Sequence, residues 1–241
     1  MRIDHLLVSR GLFDSRSQAQ AAIEAGLVTA DGVVVKKASA KVSDDAVIKA
    51  EPAHPWVGRG ALKLDHALTL WPVTVEGRVV LDVGASTGGF TEVCLERGAA
   101  RIYAVDVGHG QMHPRVSTSD RVVNLDRTDA RDLTPALIAE TPQLIVCDAS
   151  FIGLAKVLPA ALALAEPGAD LVTLVKPQFE ADRPGASKKG VVKDEEARAA
   201  AVASVSVWLE SVGWSVQAVT ESPITGGDGN VEYLLWARRR G

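Results

Sequence analysis

The chain has 241 residues, of which 47% are hydrophobic and 23% are charged, and these values are typical of a soluble protein with one large or two small domains. No apolar run reaches the length of a membrane span, and the first residues lack a signal-peptide core, so we expect a cytoplasmic protein with no membrane partner. Cys94 and Cys147 lie in apolar segments without a metal-ligand spacing, so we expect reduced thiols and no metal.

The formal net charge of −4 provides no general electrostatic case for binding nucleic acid. The charges are unevenly distributed, however: residues 1–63 carry 9 Lys and Arg against 7 Asp and Glu, whereas residues 64–241 carry 17 against 23. This asymmetry is compatible with an RNA-contacting module at the N-terminal end.

The first fifty residues predict a small separate module. Residues 3–9 form an apolar-faced helix, and a second helix begins after Ser15, which forms a capping pattern with Gln18, and ends at Gly26. The valines on either side of Asp31-Gly32 predict a β-hairpin, and residues 42–48 supply a last strand or two.

The order R-I-D-H-L-L-V-S-R-G-L, then S-R-S-Q-A-Q-A-A-I-E-A-G-L-V, then D-G-V-V-V-K-K resembles the S4 RNA-binding domain. The resemblance implies a domain over residues 1–52 and, after a proline-marked linker at 53–58, a second domain over 59–241. It also implies RNA phosphate contacts, for which the candidates are Arg10, Arg16, Lys36, Lys37 and Arg59. The alternative for each of these residues is an ordinary solvated surface charge.

From Gly77 onwards, short apolar runs of strand length alternate with helical segments. The strands are predicted at residues 79–83, 101–105, 122–125, 144–147 and 171–175. Such alternation predicts an α/β fold with a doubly wound, mostly parallel sheet. Residues 216–219 and 231–236 have no long helix between them, so we expect an antiparallel pair of strands at the sheet edge.

The segment 84–89 is a glycine-rich turn between the first of these strands and a predicted helix at residues 90–97. Asp106 ends the next strand, 22 residues after Gly84, where a carboxylate can hold ribose hydroxyls. This pattern is shared by dinucleotide-binding dehydrogenases and by methyltransferases, although the glycines at 84, 88 and 89 do not match G-x-G-x-x-G. A glycine turn required only for packing is the remaining alternative.

The sequence D-V-G-A-S-T-G-G-F at residues 82–90 resembles the first motif of class I S-adenosylmethionine methyltransferases, which have a Rossmann-like, seven-stranded sheet. The resemblance implies S-adenosylmethionine as the cofactor, with Asp129 near its adenine amino group, although Asn is common at that position. The implied cofactor-binding residues are Asp82, Gly84, Ala85, Ser86, Thr87, Gly88, Gly89, Phe90, Asp106, Asp129 and Asp148.

Two ionisable residues end apolar strands on the side where ligands of α/β sheets bind, Asp148 after residues 144–147 and Lys176 after 171–175. A charge in such a place costs desolvation unless it is paired, so one interpretation is a structural Asp–Lys ion pair. The other is that burial and a neighbouring sulfonium cation favour the neutral amine of Lys176, which can then serve as a base. Glu232 is likewise set among the apolar residues of a predicted strand.

Four further segments together resemble the TlyA (hemolysin A-like) family, in which an S4 domain precedes an FtsJ-like 2′-O-methyltransferase that modifies ribosomal RNA. They are R-G-A-L-K-L at 59–64, D-A-S-F-I-G-L at 148–154, V-K-P-Q-F-E at 175–180 and G-N-V-E-Y-L-L-W at 229–236. The Lys-Asp-Lys-Glu tetrad of such enzymes then corresponds to Lys63, Asp148, Lys176 and Glu232, with Lys176 as the base. Enzymes that methylate base amino groups typically carry Asp/Asn-Pro-Pro-aromatic after this strand, and Ala149-Ser150 does not match.

The resemblance implies ribose 2′-O-methylation of ribosomal RNA, with a cytidine in the large subunit favoured by the short length of the chain. The expected partner is ribosomal RNA or a ribosomal subunit, and a monomer is compatible with the sequence. The loop at residues 182–193 carries Arg183, Lys188, Lys189 and Lys193, which either close over RNA together with Phe179 or are simply solvated. Competing functions are a non-catalytic RNA-binding or ribosome-assembly factor, a nicotinamide-dependent oxidoreductase and a hemolysin-like activity.

Overall fold

The computed structural model describes residues 1–180, 190–226 and 229–241, apart from the side chain of Ser17. The chain divides into two compact units, Met1–Arg59 and Gly60–Gly241. The segment 53–58, which the sequence predicts as a linker, lies within the first of them.

The first unit packs two helices against a three-stranded sheet. Its elements are α1 (Ile3–Ser9), α2 (Arg16–Glu24), β1 (Val28–Ala30), β2 (Val33–Val34) and β3 (Ile48–Ala50). The sheet is antiparallel with the order β2-β1-β3. The predicted helices and hairpin are confirmed.

Local interactions explain where α2 begins and why β1 and β2 form a tight hairpin. The backbone N–H of Gln18 donates to the Ser15 side chain, which caps the first turn of α2 as predicted. Asp31 and Gly32 both have positive φ, 49° and 79°, the conformation that a tight two-residue hairpin turn requires.

A buried carboxylate, Asp4, joins the two helices of this unit. It accepts hydrogen bonds from Arg2 at 3.0 Å and from Arg16 at 2.9 Å. The Arg2 guanidinium, with help from Arg16, holds the pKa of Asp4 well below its usual range although burial opposes this. Arg16 therefore has a structural contact inside the domain.

The second unit is built on a seven-stranded sheet with the order β6-β5-β4-β7-β8-β10-β9. Its strands are β4 (Val79–Val83), β5 (Arg101–Val105), β6 (Val122–Leu125), β7 (Leu144–Cys147), β8 (Asp170–Val175), β9 (Trp214–Glu221) and β10 (Tyr233–Arg239). The first five are parallel, and β10 runs antiparallel between β8 and β9. The predicted Rossmann-like sheet with an antiparallel edge pair is confirmed.

Helices and one 3-10 turn connect the strands. They are α3 (Gly60–Leu70), α4 (Gly89–Glu96), α5 (Pro114–Ser117), the 3-10 turn Ala130–Asp132, α6 (Leu154–Val157), α7 (Pro159–Leu164), α8 (Pro177–Glu180) and α9 (Glu195–Ser211). The strands β7 and β8 are buried along their whole length, as is typical of the central parallel strands of such a sheet.

The strand order reverses beside β4, because β5 lies on one side of it and β7 on the other. In open α/β sheets, ligands bind at such a switch point, outside the carboxyl ends of the strands. The glycine turn after β4, Asp106 after β5 and Asp148 after β7 therefore all lie at the edge where a ligand is expected.

The last two strands differ from the prediction in their bounds. The strand β10 begins at Tyr233, so Glu232 immediately precedes the strand and does not lie within it. The carbonyl oxygen of Glu232 still accepts a hydrogen bond from the backbone N–H of Ser222, which fixes the residue beside β9. At the other end, β10 continues through Arg239, because backbone pairing with β8 and β9 outweighs the polar character of its arginines.

Candidate active site

The glycine turn after β4 has backbone conformations that are unfavourable for most residues with a side chain. Gly84 and Gly88 have φ of 82° and 91°, a region that favours glycine, and Ser86 also has positive φ. A Cβ on Gly84 would lie 3.0 Å from the backbone N and Cα of Ala149. Gly84 therefore allows the end of β4 to approach the residue that follows Asp148.

We expect Gly84→Ala to weaken S-adenosylmethionine binding by about tenfold or more, since it combines backbone strain with a clash against Ala149. The affinity is measured by calorimetric titration. Gly213→Ala is the matched control, because Gly213 has φ of 87° with nothing within 4 Å of its Cβ position. Equal affinities for the two variants would contradict the prediction.

Asp106 is held rigidly at the end of β5. Its Oδ2 accepts from the backbone N–H of Ser86 at 2.8 Å, and its Oδ1 accepts from that of Gly108 at 2.7 Å. Each carboxylate oxygen has a second lone pair, so both remain able to accept hydrogen bonds from a ligand.

A cavity of about 510 Å³ opens at this edge of the sheet. Five of the predicted cofactor residues line it: Gly84, Ser86, Asp106, Asp129 and Asp148. The other six do not belong to its wall, namely Asp82, Ala85, Thr87, Gly88, Gly89 and Phe90. Phe90 is instead buried, and a Cβ on Gly60 of α3 would lie 3.7 Å from its ring.

Asp129 has an unexpected partner. Arg131 donates to both of its carboxylate oxygens, with Nη2 2.6 Å from Oδ2, and this guanidinium lowers the pKa of Asp129. Arg131 also lines the cavity. An Asp–Arg pair thus stands where the sequence predicts a single carboxylate.

Asp82 is fully buried in β4, below the glycine turn. Its Oδ2 accepts from the Thr91 hydroxyl at 2.6 Å, while its Oδ1 has no hydrogen-bond partner among the described residues. Burial raises the pKa of Asp82 to about 7, and the negative charges of Asp148 and Asp106 add to this effect. A buried, unsatisfied oxygen beside the turn is consistent with a ligand completing its hydrogen bonds.

The four predicted catalytic residues form one continuous chain of charges. Lys63 Nζ lies 2.6 Å from Glu232 Oε2 and 3.9 Å from Asp148 Oδ2, and Lys176 Nζ lies 2.7 Å from Asp148 Oδ1. Lys63, Lys176 and Glu232 are at most 6% exposed, so these are interactions in a medium that screens charge weakly. The structure therefore brings together a residue of α3, the residues that follow β7 and β8, and the residue that precedes β10.

Two glycines make room for this chain of charges. A Cβ on Gly60, one turn before Lys63 on α3, would lie 3.1 Å from Asp148 Oδ2. A Cβ on Gly226 would lie 2.0 Å from Glu232 Oε1, a distance that real atoms do not tolerate. Both acidic members are thus packed directly against backbone.

Two residues of the D-A-S-F segment belong to the site although no catalytic or binding role is predicted for them from the sequence. Ser150 Oγ accepts from Lys176 Nζ at 2.7 Å, and both Ser150 and Phe151 line the cavity. Phe151 is 90% exposed, has φ of 67°, and its ring centroid lies 5.2 Å from that of Phe179. Their positions directly after Asp148 were the signal that could have identified them.

The predicted RNA contacts fall into two groups. Lys36 and Lys37 are exposed. Arg10 donates to the carbonyl oxygens of Ala46, at 2.7 Å, and Asp44; Arg16 pairs with Asp4, and Arg59 lies 3.6 Å from Glu24. These three arginines thus have partners within the first unit. Arg183, Lys188 and Lys189 lie outside the described residues.

The seven-stranded sheet, the glycine turn and the strand-end carboxylates define the second unit as a class I methyltransferase. A family model described as FtsJ-like methyltransferase matches residues 56–239, and one described as S4 domain matches residues 1–48. The chain belongs to the FtsJ-like methyltransferase family and carries an S4 domain at its N-terminal end. It is a methyltransferase that uses S-adenosylmethionine, as predicted, and not a nicotinamide-dependent enzyme.

Three similar proteins cover most of the chain. The 16S/23S rRNA (cytidine-2′-O)-methyltransferase TlyA of Mycobacterium tuberculosis is 47% identical over 98% of this chain and 89% of its own length. The 23S rRNA (cytidine-2′-O)-methyltransferase TlyA of Campylobacter jejuni is 36% identical over 75% of this chain and 70% of its own. The solved structure of a hemolysin-named protein of Streptococcus thermophilus is 36% identical, with a TM-score of 0.81 over 100% of this chain and 88% of that one.

The described residues contain no helix that is both long and apolar enough to cross a membrane. Nor do they contain a group of three or more His, Cys, Asp or Glu side chains arranged to hold a metal ion.

Proposed function

We propose that this enzyme methylates the ribose 2′-hydroxyl of a cytidine in large-subunit ribosomal RNA. The observation that carries the proposal is the chain of charges Glu232–Lys63–Asp148–Lys176 beside the cavity at the carboxyl edge of the sheet. Such an arrangement suits a substrate hydroxyl that must lose its proton in order to react.

The residues present fit the cofactor. We assign the ribose hydroxyls of S-adenosylmethionine to the free lone pairs of Asp106, its adenine end to the Asp129–Arg131 pair, and its amino-acid end to the glycine turn above Asp82. The cofactor supplies an electrophilic methyl group on a sulfonium.

Lys176 is the proposed general base. A ribose hydroxyl is a weak acid, so its attack on a methyl group is assisted when a neutral amine accepts the proton at Nζ. Asp148 then stabilises the resulting ammonium, from which its Oδ1 is 2.7 Å away. Lys63, held between Glu232 and Asp148, balances the two carboxylates and keeps Asp148 in position.

The choice of target rests on two kinds of support. Ala149-Ser150 after Asp148 differs from the proline pair typical of enzymes that methylate base amino groups, which favours a ribose target. The names of both rRNA-modifying relatives contain cytidine-2′-O and 23S rRNA, and only one of them also contains 16S rRNA. The large subunit is therefore the substrate common to both.

The S4 domain is the proposed RNA anchor, with Lys36 and Lys37 as its phosphate contacts. We expect the double variant Lys36→Ala/Lys37→Ala to lower RNA affinity and to reduce the slope of log K against log salt by about two, since each lysine neutralises one phosphate. Binding is measured at several salt concentrations. Lys49→Ala, on β3, is a single-charge comparison, and an unchanged slope in the double variant would contradict the assignment.

The proposed function is tested with purified 50S and 30S subunits from cells that lack the gene. The full-length enzyme and labelled S-adenosylmethionine are added, and 2′-O-methylated nucleotides are mapped in each rRNA. Label on the ribose of a cytidine in 50S particles supports the proposal. Label on a base, or only in 30S particles, contradicts it, and tight RNA binding without any label indicates a non-catalytic assembly factor.

A further inference from the structure

The proposed base has a neighbour outside the four charged residues. Lys176 Nζ contacts three oxygens: Asp148 Oδ1 at 2.7 Å, the Asp148 carbonyl oxygen at 3.2 Å and Ser150 Oγ at 2.7 Å. The carbonyl oxygen and Ser150 Oγ accept hydrogen bonds from Nζ, whereas Asp148 Oδ1 is close enough for an ion pair but has no hydrogen-bond partner among the described residues. Lys176 is only 5% exposed, which leaves little room for water to replace any of the three.

The three oxygens differ in what they can do when the lysine is neutral. A neutral amine has two N–H donors and one lone pair, so it can keep the hydrogen bond to the carbonyl oxygen by donating and can offer its lone pair to a hydroxyl. The carboxylate and the carbonyl of Asp148 are acceptors only, whereas a serine hydroxyl can also donate. Ser150 is therefore the contact that can turn its hydroxyl proton towards the lone pair.

We propose that Ser150 is a positioning residue for methyl transfer, whose hydroxyl holds Lys176 Nζ in both protonation states until the substrate hydroxyl takes its place. It accepts a hydrogen bond from the ammonium; after the ammonium has lost a proton to solvent, it donates one to the amine. No bond to Ser150 forms or breaks. The proposal rests on the assignment of Lys176 as the base.

The location of Ser150 supports this role. It is exposed and lines the cavity, whereas Lys176 is buried behind it. A hydroxyl that reaches the lone pair of Lys176 must therefore arrive from the side on which Ser150 now lies. On this proposal, the ribose 2′-hydroxyl replaces the serine hydroxyl at the lone pair of Lys176.

The charged and titratable groups around Lys176 do not offer the same switch. They are Asp148 at the end of β7, Lys63 of α3 and Glu232 before β10, which reach it through Asp148, and the buried thiol of Cys147. Burial raises the pKa of Cys147 to about 12, so this thiol stays protonated at the pH of any assay below that value. Among the described residues, Ser150 is the hydroxyl in direct contact with Nζ.

The test is the pH dependence of single-turnover methyl transfer to the RNA particle for Ser150→Ala, Ser150→Thr and wild type. Loss of the hydroxyl removes a hydrogen bond to both states of Lys176, so we expect the rate plateau of Ser150→Ala to fall about tenfold. Its acid limb should move to lower pH by roughly one unit, because the hydrogen bond to the charged form is the stronger one. Threonine keeps the hydroxyl and should restore both features.

Ser204→Ala, at an exposed position on α9, is the control and should match wild type in both plateau and acid limb. S-adenosylmethionine is present at a saturating concentration for every variant, so the rates report methyl transfer and not cofactor binding. A lower plateau with an unmoved acid limb, failure of Ser150→Thr to restore it, or a Ser150→Ala profile that superimposes on wild type each overturns the proposal. Failure of the base assignment gives a different result, namely methyl transfer by Lys176→Ala at the wild-type rate.

Discussion

Lys176→Ala is expected to bind S-adenosylmethionine within a few-fold of wild type but to transfer methyl groups about 10²- to 10⁴-fold more slowly, the usual contribution of a general base. The lysine side chain ends 2.7 Å from Asp148 and from Ser150, two residues that line the cavity. Its removal leaves the turn at residues 84–89 and Asp106 in place, so the cofactor contacts remain. Single-turnover transfer and calorimetric titration measure the two properties separately.

Two further substitutions sharpen this test. Lys176→Arg keeps a positive charge for Asp148, but a guanidinium stays protonated, so this variant should be almost as slow as the alanine variant. Lys156→Ala, at an exposed position on α6, should be as active as wild type. Substantial activity in Lys176→Arg would show that the lysine serves only as a cation, which is the structural ion-pair interpretation.

The second large effect is expected on stability. Asp170 is fully buried at the start of β8 and accepts from Arg78 at 2.8 Å, from Trp236 Nε1 at 2.8 Å and from Arg238 at 3.0 Å. Asp170→Ala leaves these donors without their shared acceptor. We expect this substitution to lower the free energy of unfolding by about 3 kcal/mol. This value is at the lower end of the range for breaking a buried ion pair, because both arginine side chains are partly exposed to solvent.

Thermal denaturation should show a drop in Tm of roughly 6 to 12 °C for a domain of this size. The control is Asp65→Ala, which removes a surface pair with Arg97, Nη2 to Oδ1 2.8 Å, and should cost less than about 1 kcal/mol. A similar Tm for the two variants would contradict the assignment of Asp170 as the anchor of this edge.

The contribution of Asp170 should also depend on pH. Burial opposes its charge, but the hydrogen bonds from Arg78, Arg238 and Trp236 outweigh it, so its pKa is lowered in the folded state. A lowered carboxyl pKa gives stability that is present above the unfolded value of about 3.9 and is lost as the pH falls through the folded value. The difference in unfolding free energy between wild type and Asp170→Ala should therefore shrink in denaturant titrations below about pH 4.

The sequence predicts the central sheet well because its strands are uninterrupted apolar runs bounded by turn residues. Residues 79–83, 101–105, 122–125 and 144–147 are strands in the structure with the predicted bounds. The strands β9 and β10 are predicted less well, since their ends depend on pairing with each other and, for β10, with β8, and not on their own composition.

The sequence predicts which charged side chains lie at the carboxyl edge of the sheet, but it does not predict which of them form ion pairs with each other. Lys63 and Glu232 are 169 positions apart, and nothing local indicates that they meet at 2.6 Å while Lys176 takes Asp148. The same limit applies to Arg10 and Arg16, which the sequence suggests as phosphate contacts. Their partners within the domain, the carbonyl oxygen of Ala46 and the carboxylate of Asp4, are visible only after folding.

The insertion of β10 between β8 and β9 has a consequence for the synthesis of the enzyme. The cofactor cavity is lined by residues 83–157, whereas Glu232 becomes part of the chain of charges when β10 pairs with β8 in register, with Tyr233 opposite Val175. A ribosome-bound chain that has emerged only as far as β8 contains every residue of the cavity lining but lacks one member of the proposed catalytic set. We therefore expect methyl transfer only after β10 has paired with β8, so incompletely synthesised chains should leave the RNA unmodified.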